Sequence, residues 1–294
     1  NTGRVHAYVL DNSGARAVIV SDAKLAKVLL PAVLRTDVAR VVIGIEDLKM
    51  HQSGALEYHQ WARLAQGDAA AAREAVEARL SAIGREDLAC LIYTSGTGGA
   101  PRGVKQHHGM ILRNVDGAAR ILSEDFGWDD EVFLSFLPAS HAYEHTGGPL
   151  PPIRRGGEVY YSEGLEKLAS NIEEVRPTIM VVGPRLFEVL RARIIKQVEK
   201  QGKLANFLLG RALAIGEQKA WGRKRLRDRP MDLILERTLR PKIRAKFGGR
   251  IKAMVSGGAP LNPDVGHFFA AMGLTPLQGY GQTQAAPVIS GGRP

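Results

Sequence analysis

The stretch Leu91-Ile-Tyr-Thr-Ser-Gly-Thr-Gly-Gly-Ala-Pro-Arg-Gly-Val104 joins an apolar run to a series of small and hydroxylated residues. The apolar run, Leu88–Tyr93, predicts a buried strand. Glycines allow the positive φ angles with which a backbone wraps around an anion, and successive N–H groups in that geometry bind phosphate. Hydroxyl groups within Thr94–Gly99 add hydrogen-bond donors, and Arg102 adds a fixed positive charge. The stretch therefore predicts a phosphate-binding loop after a buried strand.

Two common phosphate-binding patterns do not fit this loop. A Walker A loop requires Gly-Lys-Ser/Thr, which does not occur in the chain, and the Gly-x-Gly-x-x-Gly spacing is absent from the stretch. The residue order instead resembles the signature Tyr-Thr-Ser-Gly-Thr-Thr-Gly-x-Pro-Lys-Gly-Val of the adenylate-forming acyl-CoA synthetase superfamily. The differences are Gly98 for the second Thr and Arg102 for Lys. The alternative is a surface turn with many small residues.

Two later segments resemble motifs of the same superfamily. Ser256-Gly-Gly-Ala-Pro-Leu261 follows the apolar run Ile251–Val255, and Gly279-Tyr-Gly-Gln-Thr-Gln284 comes after it. In the superfamily, the Gly-Ala-Pro backbone and the tyrosine flank adenine, and the threonine contacts the α-phosphate. A tyrosine ring also offers a flat face to a purine, although Tyr280 could instead be an ordinary core aromatic. The nucleotide-binding residues that the resemblance implies are Thr94, Ser95, Gly96, Thr97, Gly98, Gly99, Gly258, Ala259, Pro260, Tyr280, Gly281 and Thr283.

Gln284 departs from the superfamily motif, which has glutamate at this position. The resemblance implies that the glutamate holds the magnesium ion bound to ATP. A neutral amide offers a single carbonyl oxygen to a hard cation that prefers carboxylates. Gln284 is therefore a weakened Mg²⁺ position, and the rate of adenylation is in question.

A further segment, Phe136-Leu-Pro-Ala-Ser-His-Ala-Tyr-Glu-His145, resembles a Leu-Pro-x-x-His motif of the superfamily. The resemblance implies that His141 lines the acyl pocket near the reacting carboxylate. The same residues also spell the inverted zinc-hydrolase pattern His141-x-x-Glu144-His145. Glycines and a proline follow at Gly147–Pro149, which disfavours a ligand-bearing helix. Zinc stays open as a minor alternative.

Composition limits the cellular setting. With 294 residues and 45% hydrophobic content, the chain can bury a large core. Cys90 is the single cysteine, so no intrachain disulfide can form and a reducing compartment fits. Its position in an apolar run favours a small buried side chain over a nucleophile. No apolar run reaches the roughly 20 residues that span a bilayer. These features predict a cytoplasmic protein.

Alternating strand and helix patterns predict an α/β fold with mostly parallel, buried strands. Helical patterns include Ala70–Ile83 and Gly109–Ser123. The resemblance implies the layered αβαβα large-domain fold of adenylate-forming enzymes. Ligands of open α/β sheets bind beyond the carboxyl ends of the strands, where the loops after Tyr93, Val255 and Gly279 are expected. The predicted strands are Ala17–Val20, Val41–Ile45, Leu88–Tyr93, Val132–Leu137, Glu158–Tyr161, Thr178–Val182, Ile251–Val255 and Pro276–Gly279.

The basic charge of the chain is local. The net charge is +10, but residues 185–252 hold 20 Lys and Arg against 6 Asp and Glu. A helical insertion at about 185–250 resembles the long-chain branch of the superfamily. The segment could be a solvated helical hairpin, dock on an anionic membrane at the inner face, or bind CoA phosphates or another polyanion. Specific nucleic-acid recognition is not expected, because no known binding module accompanies the charge. Basic residues beside Trp221 are Lys219, Arg223, Lys224, Arg225, Arg227 and Arg229.

The resemblance covers nearly all of the chain but only the central part of a full enzyme. It implies that residues 1–294 are part of an AMP-binding N-terminal domain that is incomplete at both ends. The ribose-binding aspartate, the hinge and the C-terminal domain with its catalytic lysine would follow Pro294.

We therefore expect an ATP-dependent ligase that activates a long-chain fatty acid, with CoA as co-substrate and Mg²⁺ as the associated ion. The catalytic residues implied by the resemblance are Arg102, His141 and Thr283. Two alternatives are a catalytically impaired relative that binds nucleotide or lipid, and a basic peripheral membrane-binding module. The fragment alone is expected to be inactive.

Overall fold

The computed structural model describes residues 2–50, 54–95, 100–222 and 226–294. The chain forms two compact units, Asn1–His108 and Gly109–Pro294. Each unit has its own sheets and helices, and helix α5, which starts at the boundary residue His108, belongs with the second unit.

The first unit contains a three-stranded parallel sheet in the order β1-β2-β3. Val18, Val20 and Val42 point into a small core on one side of this sheet, because alternate side chains of a strand share a face. The side chain of Asp22 accepts a hydrogen bond from the Leu25 amide at 2.8 Å and begins α2. The elements of this unit are α1 Thr2–Ser13, β1 Ala17–Val20, α2 Ala23–Val33, β2 Val41–Gly44, β3 Glu57–Gln60, α3 Trp61–Leu64, α4 Ala69–Ala82, β4 Leu88–Thr94 and β5 Arg102–His107.

Strand β4 is less buried than the sequence predicted. It pairs antiparallel with β5, and Thr94 lies opposite Arg102 in the register. Ile92 is the buried residue of the strand, whereas Leu88 is 54% exposed. The segment that was expected to follow a buried parallel strand therefore connects the two strands of a hairpin.

The second unit is built on a six-stranded sheet in the order β11-β10-β9-β8-β6-β7. Strands β6 to β10 run parallel to their neighbours, and β11 adds to the edge antiparallel to β10. The elements are α5 His108–Phe126, β6 Val132–Ser135, α6 Ala142–Gly147, α7 Leu150–Arg155, β7 Glu158–Tyr161, α8 Leu168–Val175, β8 Ile179–Val182, α9 Pro184–Glu199, α10 Lys203–Ala220, α11 Arg229–Ala245, β9 Ala253–Ser256, α12 Pro263–Ala271, β10 Pro276–Gly281 and β11 Val288–Gly291. Short 3₁₀ turns occupy Leu226–Asp228 and Thr283–Ala285.

The main core lies where α9, α10, α11 and α12 pack beside the sheet. Phe187, Phe247 and Phe268 each make edge-on ring contacts with Phe269, with centroids 5.1 to 6.2 Å apart. All four residues of β8 are buried, as expected for a central parallel strand covered on both faces.

The predicted α/β fold with mostly parallel sheets is confirmed, and every predicted strand overlaps a strand of the structure. Helices α4 and α5 confirm the helical patterns at Ala70–Ile83 and Gly109–Ser123. Strands β3, β5 and β11 were not predicted.

Close contact between α10 and α12 depends on Gly216. A Cβ atom on Gly216 would overlap the Cβ of Ala271 and come within 3.0 Å of its Cα. Gly216→Ala should lower the free energy of unfolding by about 1–3 kcal/mol, because overpacking outweighs the gain in helix propensity. Chemical denaturation measures the change.

Gly210 in the same helix provides the control. A Cβ there meets no atom within 4 Å, so Gly210→Ala should be neutral or stabilise the protein by up to about 1 kcal/mol. Equal effects of the two substitutions would contradict the packing argument.

Candidate active site

A cavity of about 210 Å³ lies within the second unit, between α5 and one face of the sheet. Ala118, Ile121 and Leu122 of α5 form one wall. Ile179 and Val181 occupy alternate positions of β8, so both side chains reach the opposite wall. The interior is thus apolar and suits a hydrocarbon ligand.

Residues from separate sequence motifs line this one cavity. They are His141, Gly258, Tyr280, Gly281 and Thr283. A Cβ on Gly258 would lie 3.8 Å from Cε1 of His141, so the two motifs approach each other closely. Gly258, in the turn after β9, has a φ of +82°, which lies in the left-handed region that favours glycine. Ala259, Pro260 and Gln284 are adjacent in sequence but are not lining residues.

Tyr280 lies near the end of β10 and is 56% exposed. Its hydroxyl accepts a hydrogen bond from Nε2 of Gln282 at 3.1 Å. This bond restrains the orientation of the tyrosine ring. Tyr280 is therefore not a core aromatic, and an exposed ring at the rim of a cavity can receive a flat ligand.

Asn114 connects α5 to the segment between β10 and β11. Its Nδ2 donates to the carbonyl of Val288 at 2.7 Å and to that of Ala285 at 3.2 Å, and its Oδ1 accepts the Val288 N–H at 3.1 Å. The 3₁₀ turn that carries Thr283 ends at Ala285, one of the two residues that Asn114 holds. One side chain thus fixes the distance between two walls of the cavity.

His141 is exposed and caps the N-terminus of α6. Its Nδ1 accepts the backbone N–H of Tyr143 at 3.2 Å, so a neutral ring carries its hydrogen on Nε2. The hydroxyl of Tyr143 donates to the carbonyl of Val255 at 2.9 Å and fixes α6 to β9. Burial, and then the nearby Glu144 carboxylate, raise the pKa of Tyr143, so it remains a neutral donor. The Nε2–H of His141 is available to an acceptor such as a carboxylate oxygen.

Glu144 is fully buried beneath these residues, and the motifs assign it no role outside the zinc pattern. Its Oε1 accepts the hydroxyl hydrogen of Ser135, which ends β6. Burial raises the pKa of Glu144 to about 7, although the Ser135 hydroxyl and the backbone of Leu137 and Phe136 oppose that rise. An acidic residue within an apolar segment is the only sequence signal for this site.

The zinc alternative has no support in the geometry. The described ranges contain no group of three or more His, Cys, Asp or Glu side chains that could hold a metal ion. Nδ1 of His141 binds a backbone amide, while Oε1 of Glu144 binds Ser135.

The residues near Gln284 do not form a strong magnesium site. Gln284 is exposed within the 3₁₀ turn Thr283–Ala285, and both it and Thr283 offer neutral oxygens. Magnesium is held in proteins mainly through carboxylates and substrate phosphates. The donor set therefore does not fit a protein-held Mg²⁺ ion.

The remaining predicted residues belong to the first unit. Thr94 ends β4 with its side chain half-buried, Ser95 is exposed, and Arg102 begins β5 as an exposed side chain. Gly96, Thr97, Gly98 and Gly99 lie outside the described residues.

Sequence comparison decides the family. The family model of the AMP-binding enzymes matches residues 2–294. The chain belongs to this family. Long chain acyl-CoA synthetase 6, peroxisomal, of Arabidopsis thaliana is 33% identical over 207 residues, 70% of this chain and 28% of that protein. Long-chain-fatty-acid–CoA ligase FadD15 of Mycobacterium bovis is 30% identical over 226 residues, 76% of this chain and 37% of that protein. The chain thus spans about a third of the length of these relatives.

Solved structures confirm the predicted fold. The adenylation domain of a carboxylate reductase from Mycobacterium chelonae superposes with a TM-score of 0.64 at 17% identity, over 99% of this chain and 43% of that chain. A benzoate CoA ligase from Burkholderia xenovorans gives a TM-score of 0.58 at 18% identity, over 100% of this chain and 46% of that chain. The α/β fold is that of adenylate-forming enzymes, and the resemblance to long-chain fatty acid–CoA ligases is confirmed.

Proposed function

We propose that this AMP-binding chain contributes to the ATP-dependent activation of a long-chain fatty acid. The observation that carries the proposal is the apolar cavity whose lining includes His141, Gly258, Tyr280 and Thr283. An apolar interior suits an acyl chain, and the polar lining residues suit a carboxylate and a nucleotide. The names of the curated relatives support the same substrate class.

The proposed reaction begins with attack of a fatty carboxylate oxygen on the α-phosphorus of ATP. A new O–P bond forms, the bond from the α-phosphorus to the bridging oxygen breaks, and pyrophosphate leaves. Tyr280 stacks on adenine beside the turn Gly258–Pro260, and Thr283 donates to the α-phosphate. The Nε2–H of His141 orients the carboxylate. These side chains contribute by holding the two reactants in line.

The roles proposed for residues of the first unit rest on the sequence resemblance alone. The loop Thr94–Gly99 and Arg102 would bind the β- and γ-phosphates and stabilise the departing pyrophosphate. No step is assigned to Mg²⁺, because Gln284 is a poor ligand for it. In the second step, the thiol of CoA displaces AMP from the acyl-adenylate and forms the thioester. We place this chemistry in the cytoplasm, in keeping with the single cysteine.

A catalytically impaired relative is the second candidate. The neutral Gln284 in place of a carboxylate favours it, because weak metal binding would lower the rate of adenylation. Such a protein would still bind ATP and a fatty acid.

Titration calorimetry of the chain with ATP tests nucleotide binding. Tyr280→Ala should weaken ATP binding about tenfold, because one base-stacking contact contributes about 1–3 kcal/mol. Tyr161→Ala is the matched control, since Tyr161 is 67% exposed on β7 and is not a cavity-lining residue. Unchanged affinity in Tyr280→Ala, or equal losses in both variants, would refute the assignment of the adenine site.

A further inference from the structure

The turn between α10 and α11 presents large apolar side chains to solvent. Trp221 and Leu226 are each 72% exposed, and Leu233 and Ile234 of the first turns of α11 are 51% and 46% exposed. Trp221 ends α10, Leu226 begins the next 3₁₀ turn, and Lys219 binds Asp232 at 2.8 Å. That ion pair holds this end of α10 beside the first turns of α11. Exposed apolar groups gathered at one place are the mark of an interaction surface.

Three of the four acidic side chains in residues 203–245 form ion pairs with basic side chains of the same segment, and the fourth, Glu217 of α10, is exposed and forms no ion pair with the described residues. Asp228 lies 3.5 Å from Arg211, Asp232 binds Lys219 and Arg240, and Glu236 binds Arg240. These ion pairs occupy Asp228, Asp232 and Glu236, so these three carboxylates are engaged by Arg211, Lys219 and Arg240 and not by the arginines of the turn.

Arg227 and Arg229 supply the positive charge of the turn. Both are exposed, and among residues 2–50, 54–95, 100–222 and 226–294 neither has a carboxylate partner within ion-pair distance. A tryptophan and leucines flanked by arginines match the boundary between acyl chains and anionic headgroups. None of the helices in the described part of the chain is long and apolar enough to cross a membrane, so contact through this turn would be peripheral.

We propose that the turn formed by Trp221, Leu226, Arg227, Arg229 and Leu233, called the α10–α11 tip, docks on an anionic lipid surface. Trp221 and Leu226 enter the headgroup region, and the two arginines pair with lipid phosphates and carboxylates. This proposal does not depend on ATP binding or on acyl transfer. It would keep the chain at the surface where a water-insoluble carboxylic acid partitions.

Vesicle co-sedimentation of the full 294-residue chain tests the proposal. The chain should sediment with phosphatidylcholine vesicles that contain about 30 mol% phosphatidylserine, which gives them the negative surface potential of a charged leaflet. It should bind pure phosphatidylcholine far more weakly, and salt should release it because exposed charges are screened within about 10 Å at 0.1 M ionic strength. Equal binding to the two kinds of vesicle, or no binding to either, would overturn the proposal.

Two pairs of variants locate the contact. Arg227→Ala with Arg229→Ala should weaken binding roughly 25-fold, at about fivefold for each charge. Arg73→Ala with Arg79→Ala removes the same charge from exposed positions of α4 and should leave binding near the wild-type value.

For the apolar contact, Leu226→Ser should weaken binding and Leu204→Ser should not. Leu204 is also 72% exposed but lies in the first turn of α10, about 25 Å along the helix from Trp221. All four side chains in the two arginine pairs and both leucines are at the surface, so the variants should fold. If the control variants lose as much vesicle binding as the tip variants, the chain binds vesicles through its overall charge or hydrophobicity. The tip would then not be the contact.

Discussion

We expect the free energy of unfolding of the wild-type chain to fall as the pH rises toward neutrality because Glu144 ionises. Glu144→Gln should not show this fall. Burial holds the pKa of Glu144 at about 7 in the folded chain, against 4.5 for the free side chain. Between these pH values the folded protein keeps a proton that the unfolded chain releases. Stability therefore falls as the pH rises from 4.5 to 7, by about 3 kcal/mol from this group alone. Glutamine cannot ionise, so the variant should not show this loss.

Urea denaturation of both proteins at pH 5, 6, 7 and 8 measures the effect. The free energy of unfolding of the variant, relative to wild type, should rise with pH and level off above about 7. Other titrating groups cancel in this difference, since they are common to both proteins. The introduced amide would still offer a carbonyl oxygen to the Ser135 hydroxyl, so the variant should fold.

Glu173→Gln serves as the control for removal of a carboxylate. Glu173 is exposed on α8, and its variant should follow the wild-type pH dependence. Parallel curves for Glu144→Gln and wild type would mean that Glu144 is ionised at low pH in the folded protein, and the raised pKa of this buried carboxyl would be wrong.

Ala118→Phe should block binding of a fatty acid while leaving ATP binding intact. Ala118 lines the apolar wall of the cavity, so a phenyl group there would take the space of three or four methylene groups. Each buried methylene contributes about 0.8 kcal/mol, so palmitate should bind about 100-fold more weakly. Calorimetry with palmitate and then with ATP measures both affinities.

Gly117→Phe on the same helix controls for the added bulk of a phenylalanine side chain on α5. A Cβ on Gly117 meets no atom within 4 Å, so a ring at this position points into open space and should not affect palmitate. Unchanged palmitate affinity in Ala118→Phe would exclude this cavity as the acyl site. The Tyr280 experiment would stand independently of that outcome.

The sequence predicted the parts of the site that lie in contiguous motifs. Gly258, Tyr280 and Thr283 belong to short segments with a fixed order, and they line one cavity together with His141. Asn114 could not be predicted in this way, because its partners lie 171 and 174 positions along the chain. Ala118 has no chemical signature, and its place in the cavity follows only from the packing of α5 on the sheet.

The strands that were missed share a physical cause. β3 and β11 are edge strands of their sheets, and β5 belongs to a two-stranded hairpin. Edge and hairpin strands expose much of their surface, so β3 can read Glu-Tyr-His-Gln without an apolar pattern. The central strands β8 and β9 are covered on both faces and therefore carry the continuous apolar runs by which they were predicted.

The hydrogen bonds of Asn114 also make opening of the cavity measurable by hydrogen exchange. The N–H of Val288 can exchange its hydrogen for deuterium only when its bond to Asn114 breaks. Two further bonds from the same amide must loosen before α5 and the β10–β11 connection can separate. The exchange rate of the Val288 amide hydrogen would therefore report how often α5 and the β10–β11 connection separate. A ligand bound in the cavity would lower that rate.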